Sequence, residues 1–198
     1  VAPSRGLGDV YKRQGKDIVG TLVPFDHQEN LTYINDIKHI YELDDQTSRL
    51  KTVFECYTDT VISSVSHDEQ GHFWIGSNFG LIHYDPVLKS RTLVPTNLFT
   101  EINMVLCDQK GKVWIGVDNM LFAYFIKEQK FVLFGESNGA IQNEYLPNAR
   151  LVNEQGDAYI GGVKGMLRID GQLLLNTSEM PELQLLDITI NGESANHE

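Results

Sequence analysis

The stretch DEQGHFWIGSNFGLIHYD, Asp68 to Asp85, returns forty residues later as DQKGKVWIGVDNMLFAYF, Asp108 to Phe125. Both copies carry Asp-x-x-Gly-x-x-Trp-Ile-Gly, so the first question is the length of the repeating unit. Trp74 and Trp114 are 40 residues apart. A step back of 41 reaches HQENLTYINDIKHIYELD, with Tyr33 in the Trp slot and Asp44 in the slot of Asp85. A step forward of 45 reaches NEQGDAYIGGVKGMLRID, with Tyr159 in the Trp slot and Asp170 closing the unit. Four copies fit, two sharp and two worn.

Each copy makes the same physical demands. Asp68 and Gly71 sit at the first and fourth positions of a type I turn, where Gly takes a left-handed conformation at little cost. Asp108 with Gly111 repeats the pattern, and Gly156 holds the glycine slot of the last copy. The turn joins two strands as a hairpin. The positions of Ile82 and Tyr84 are matched by Tyr41 and Leu43, by Phe122 and Tyr124, and by Leu167 and Ile169. This is burial with period two, which belongs to strands. The position between them reads His83, Glu42, Ala123 and Arg168. Such variety predicts a tolerant place, facing solvent or a blade edge. A unit near 40 residues of strand and turn, with one large aromatic, predicts a β-propeller blade. The aromatic is expected to pack between neighbouring sheets.

Composition narrows the partners. The chain has 198 residues, 41% of them hydrophobic, enough for a sizeable core in one or two domains. A net charge of −11 leaves no basic stripe to neutralise phosphates, so nucleic acid is excluded as a partner. The same charge disfavours docking on an anionic membrane surface. No apolar run approaches the roughly 18 residues needed to span a bilayer. Cys56 and Cys107 form no Cys-x-x-Cys pair and have no metal-ligand spacing nearby. Two buried free thiols are the expectation, with a disulfide the alternative.

The chain begins at Val1 without an apolar signal segment. Val1 to Gln14, VAPSRGLGDVYKRQ, matches no phase of the repeat and resembles a translated adapter more than native protein. A disordered native linker is the alternative.

The repeated phrases resemble the two-component regulator propeller repeat, whose pattern runs D-x-x-G-x-[LIV]-W-[IVF]-G-[ST]-x-x-G-[LI]-x-x-[YF]-[DN]. Tyr33, Trp74, Trp114 and Tyr159 stand in its aromatic slot, and Gly76, Gly116 and Gly161 in the glycine slot two residues on. IQNEYLPNAR, from Ile141, and the Gly161-Gly162 pair resemble the family's last blade. PELQLLDITINGE, from Pro181, resembles the first strand of the immunoglobulin-like domain that follows these propellers. The resemblance covers Gly15 to about Glu193. Asn35 in the glycine slot, Met120 in place of a later Gly and Asn30 in the first turn depart from the pattern.

The resemblance implies an all-β chain, a partial propeller of about four blades in an open arc, with the start of an immunoglobulin-like sandwich behind it. The expected division is a leader over 1–14, propeller repeats over 15–178 and the sandwich start over 179–198. It also implies the extracytoplasmic, periplasmic sensor of a bacterial hybrid two-component histidine kinase, anchored in the membrane and responding to a glycan. The ligand would be an oligosaccharide, the parent a homodimer, and no cofactor or metal is expected. No kinase signature, receiver Asp cluster or helix-turn-helix occurs in these residues. The first and last blades of an open arc would expose apolar faces.

A catalytic reading is weaker. SHDEQGHFW, from Ser66, has one residue more in its turn than the Asp box of sialidase propellers. Glu144 and Tyr145 are adjacent, so strand geometry points them to opposite faces rather than to one glycosidase site. A protein-interaction propeller without a kinase is the other alternative.

Ligand contacts are expected from loops on one propeller face. The longest loop between blades falls at Gly135 to Arg150, GESNGAIQNEYLPNAR, which accounts for the 45-residue step. Asn143, Tyr145 and Arg150 are its candidate binding residues. The competing reading packs Tyr145 inside a blade and pairs Arg150 with an acid. The six histidines, His27, His39, His67, His72, His83 and His197, show no His-x-x-x-His spacing and read as solvated or edge residues. NLT at Asn30 and NTS at Asn176 match glycosylation sequons that a bacterial source would void. IGGVKG, from Ile160, contains no phosphate-binding pattern, and its glycines serve a hairpin.

Overall fold

The computed structural model describes residues 22–28, 30–57, 59–98, 101–172, 189–190 and 193–194. The expected leader, 1–14, and most of the expected sandwich start lie outside them. Four antiparallel sheets follow one another along the chain in strict sequence order. Blade 1 comprises β1 (Val23–Gln28), β2 (Leu31–Asn35), β3 (His39–Asp44) and β4 (Arg49–Glu55). Blade 2 comprises β5 (Ile62–His67), β6 (Phe73–Ser77), β7 (Gly80–Asp85) and β8 (Ser90–Leu93). Blade 3 comprises β9 (Met104–Cys107), β10 (Lys112–Val117), β11 (Met120–Phe125) and β12 (Lys130–Phe134). Blade 4 comprises β13 (Tyr145–Val152), β14 (Ala158–Gly162) and β15 (Gly165–Ile169). Two short strands, β16 (Thr189–Ile190) and β17 (Glu193–Ser194), pair with each other further on. The fold is therefore all-β, with four blades in a propeller-like arrangement. Among the described residues no helix is long and apolar enough to cross a membrane.

The repeat is also a structural register. Tyr33 pairs with Glu42, Trp74 with His83, Trp114 with Ala123 and Tyr159 with Arg168, each on the second and third strands of its blade. The turn glycines Gly71, Gly111 and Gly156 all take positive φ, between 83° and 85°. Asp68 organises its turn as an acceptor: the Gln70 and His72 N–H groups donate to Oδ1. Asp108 does the same for Lys110 and Lys112, and the Asn153 side chain receives the Asp157 N–H. The closing aspartates act alike at the next turn. Asp44 accepts from Gln46 and Thr47, and Asp85 from Val87 and Leu88.

Three layers of side chains lie between consecutive blades. Ile40 and Phe54 of blade 1 meet Phe73, Ile75 and Tyr84 of blade 2. Trp74 and Leu81, on the far face of blade 2, meet Val105, Val113, Ile115 and Phe122 of blade 3. Trp114, Leu121 and Phe134 continue to Tyr145, Ile160 and Ile169 of blade 4. Ile40, Ile75, Leu81 and Ile115 are entirely shielded from solvent. Burying each such side chain stabilises by about 1.5–3 kcal/mol.

Three expectations are corrected in detail. The position between the two apolar residues of the third strand faces solvent at Arg168, on the outer face of blade 4, but not inside the stack of blades. Ala123 is fully buried, and the His83 ring lies 4.5 Å from that of Trp74. In a two-residue period it shares the face of the interblade aromatic, so small or flat side chains suit it. The segment Gly135 to Arg150 is a loop only in its first part, because Tyr145 to Arg150 belong to β13. A bulge there lets five steps along β13 oppose two along β14, Tyr145 facing Gly162 and Arg150 facing Ile160. Exposure of the terminal faces holds at one end only. On blade 4, Leu151, Val163 and Met166 are 54%, 68% and 70% exposed. On blade 1, Ile34, Tyr41, Leu43 and Leu50 are buried, with Leu22 packed against them.

Candidate functional site

The first strand of each blade lines the common axis. A cavity of about 710 Å³ opens where β1, β5, β9 and β13 end and the Asp-x-x-Gly turn of blade 2 begins. Its wall follows the repeat phase. Asp26, His67, Cys107 and Val152 occupy one phase and all four line the cavity. Pro24 and Arg150, two residues earlier in that phase, line it too. Each inner strand therefore contributes its last residues, and the periodicity that builds the blades also builds the cavity.

The polar groups of the wall are held in place. His67 Nδ1 lies 2.9 Å from Asp26 Oδ2, a polar contact across the first two blades with both side chains largely shielded. The His67 ring stacks on Phe73 at 5.1 Å, so its orientation is fixed by packing. Gln70 and Asn148 supply amides to the same wall. Arg150 crosses the axis, its guanidinium donating to the Pro147 carbonyl at 2.5 Å and to the Val65 carbonyl. Burial pulls its pKa down to about 10, and no carboxylate offsets that burial. The Cys107 thiol is pushed up by burial, and Cys56, half-buried elsewhere, is raised to about 11 for the same reason. Both cysteines are free thiols.

Of the three candidate binding residues Asn143, Tyr145 and Arg150, only Arg150 reaches this cavity, beside the turn positions Asp68 and Gly71. It pairs with carbonyls rather than with an acid. Asn143 is buried, and its side chain bridges the last hairpin, accepting from the Lys164 N–H and donating to the Gly165 carbonyl. Tyr145 is buried between blades 3 and 4, its hydroxyl donating to the Ile141 carbonyl at 3.0 Å. Glu144 is exposed while Tyr145 is buried, as alternation on a strand requires. His67, expected as a solvated or edge histidine, is instead shielded and stacked on Phe73, and Asp26, Gln70 and Asn148 join it without any motif of their own. The signal that finds them is the phase shared by Asp26, His67, Cys107 and Val152.

A second hollow, of about 420 Å³, lies at the rim between blades 1 and 2, lined by Phe54, Cys56, Tyr57, Phe79, Arg91 and Leu93 among others. The Arg91 guanidinium stacks on Tyr57 at 4.1 Å and Phe54 at 5.1 Å. This hollow is mostly apolar and open, whereas the axial cavity gathers hydrogen-bonding groups from every blade.

The fold and its axial cavity define a propeller-type module with a polar pocket on its axis. No family model matches the chain. Over 93 residues, 47% of this chain, the sequence is 25% identical to "Histidine kinase P4" of Formosa agariphila. The matched part is 7% of that kinase's length. The extracellular domain of a putative hybrid two component system from B. thetaiotaomicron superposes with a TM-score of 0.58 at 18% identity. That match covers 81% of this chain and 22% of the other. A second such domain from the same organism has a TM-score of 0.50 at 13% identity, covering 91% of this chain and 34% of its own. At these identities the likeness is one of fold.

Proposed function

We propose that this chain belongs to the extracytoplasmic ligand-sensing region of a bacterial hybrid two-component sensor kinase, with an oligosaccharide as its ligand. The observation that carries this reading is the axial cavity. Its wall presents the Asp26 carboxylate, the His67 imidazole, the Gln70 and Asn148 amides and the Arg150 guanidinium, drawn from blades 1, 2 and 4. Such a convergence of donors and acceptors suits a ligand rich in hydroxyl groups. Two of the five N–H donors of Arg150 meet carbonyls, which leaves others for a ligand oxygen. The structural neighbours, extracellular domains of hybrid two-component systems, support the sensor role.

In this reading the segment binds and does not catalyse. Residues 15–178 form the propeller repeats, 179–198 begin an immunoglobulin-like domain, and 1–14 lie outside the functional unit. Relay across the membrane and dimerisation belong to the parent. Calorimetric titration with a panel of neutral and acidic oligosaccharides tests the ligand class. Saturable binding of at least one member, weakened by Asn148→Ala and by His67→Gln, is the expected result. Binding indifferent to both substitutions, or none across the panel, overturns the glycan reading.

A further inference from the structure

The corner beside the first turn of each blade is built from three repeating slots. These are the turn residue, the residue four places on, and the residue paired with the interblade aromatic. In blade 3 they hold Asp108, Lys112 and Ala123, and the Lys112 ammonium lies 2.9 Å from Asp108. In blade 4 they hold Asn153, Asp157 and Arg168, and the Arg168 guanidinium lies 2.7 Å from Asp157. Each of these corners matches its carboxylate with a permanent cation.

Blade 2 departs from this. Its slots hold Asp68, His72 and His83, and a second carboxylate, Asp85, closes the blade against them. Among the described residues the basic group nearest both carboxylates is the His72 ring, 3.8 Å from Asp68 and 3.6 Å from Asp85, and no Lys or Arg pairs with either. His83 Nε2 faces His72 Nδ1 at 3.1 Å. Two carboxylates thus surround two imidazoles whose ring nitrogens point at one another.

We propose that Asp68 Oδ2, His72 Nδ1 and His83 Nε2 hold a divalent first-row transition ion of the zinc type. The three side chains offer donor atoms that all lie within 4.8 Å of one another. Zinc–ligand bonds of about 2.0–2.1 Å in a tetrahedron place donors roughly 3.3 Å apart. The 3.1 Å between the imidazole nitrogens and the 3.8 Å from His72 to Asp68 lie on either side of that value. Two imidazoles and one carboxylate form a set that suits zinc better than magnesium or calcium.

The surroundings already orient the donors. Asp68 is fixed by N–H groups from Gln70 and His72 on Oδ1 and by the Trp74 indole N–H on Oδ2 at 2.8 Å. Asp85 Oδ2 lies 3.6 Å from His72 Nε2, so a carboxylate stands on the side of the ring away from the ligand nitrogen Nδ1. The Trp74 ring supports His83 from one side. All three ligands are partly exposed, so water can complete the coordination. Bound here, the ion supplies the positive charge that Lys112 and Arg168 supply in the following blades. Because Asp68 also lines the axial cavity, the ion would brace one edge of that pocket.

The test uses the untagged chain, stripped with a chelator. Zinc is followed by calorimetry and thermal melting, and cobalt(II) by visible absorption. One ion per chain, a raised melting temperature and an intense cobalt band of tetrahedral type are expected. His72→Lys introduces the residue blade 3 uses in this slot, and His83→Ala does the same for the other, so both variants should melt cooperatively. Each should lose at least about 100-fold in zinc affinity. No saturable binding to the parent chain overturns the proposal. Unchanged affinity in either variant does so too, and assigns the ion to other histidines.

Discussion

The indole N–H of Trp74 donates to Asp68 Oδ2 at 2.8 Å, while the indole N–H of Trp114, one blade on, is buried and has no partner among the described residues. The difference lies in one side chain. In blade 3 Lys112 stands where blade 2 has His72, and its ammonium engages Asp108 Oδ2 at 2.9 Å.

Trp74→Phe should therefore destabilise the chain more than Trp114→Phe. Both variants lose similar ring volume between blades, but only the first removes a hydrogen bond and leaves its acceptor bare. A difference of about 1–3 kcal/mol in unfolding free energy is expected from denaturant titration. Equal losses would contradict the assignment of the two indoles.

Gly76 tests the close approach of adjacent blades. A Cβ at this position would lie 2.7 Å from Ile102 Cγ2 and 2.9 Å from Val105 Cγ2. Gly76→Ala should cost about 1–3 kcal/mol through overpacking. The equivalent Gly116 meets Tyr145 Cβ at 3.0 Å and Met104 Cβ at 3.2 Å, so Gly116→Ala should cost less. Thermal melts of the two variants rank the contacts directly.

Acid sensitivity should track the turn carboxylates. Asp157 is held below its ordinary value of 3.8, first by the Gly171 N–H and then by Arg168. A carboxylate whose folded pKa is depressed stabilises the fold above its unfolded value and loses that contribution as pH falls through the folded one. Asp157→Asn should lower the melting temperature at neutral pH and flatten its fall below about pH 4. An unchanged acid slope would show that this carboxylate carries none of the dependence.

The outer face of blade 4 should drive association. Leu151 and Met166 are more than half exposed on the sheet face turned away from blade 3. Light scattering of the parent chain should show concentration-dependent growth, suppressed by the double substitution of Leu151→Glu and Met166→Lys. A monomer of unchanged size at every concentration would argue against an unpartnered blade face.

Much of the fold was legible because a blade repeats its demands. Trp74 and Trp114 set the period, and the glycines at 71, 111 and 156 mark turns that need positive φ. The parity at Ile82 and Tyr84 fixed which faces are buried. The site was harder to see. Asn143 and Tyr145 carry binding-type side chains in a long linker, yet the fold spends both on its own carbonyls and N–H groups. Asp26 and His67 lie 41 residues apart, and only the curl of the arc brings them to 2.9 Å. The same holds for Asp68, His72 and His83. The four-residue spacing of Asp68 and His72 would pair ligands on a helix, but here it spans a turn, and only the hairpin register that sets His83 against Trp74 brings in the third.

On the function proposed above, ligand binds in the axial cavity. Backbone amide shifts of the isotope-labelled chain, followed by NMR as a bound oligosaccharide is titrated in, test this most directly. Saturable shifts concentrated at Asp26, His67, Gln70, Asn148 and Arg150 are expected, with Tyr57, Phe79 and Leu93 at the rim unmoved. Shifts confined to the rim hollow, with the axial residues silent, would contradict it.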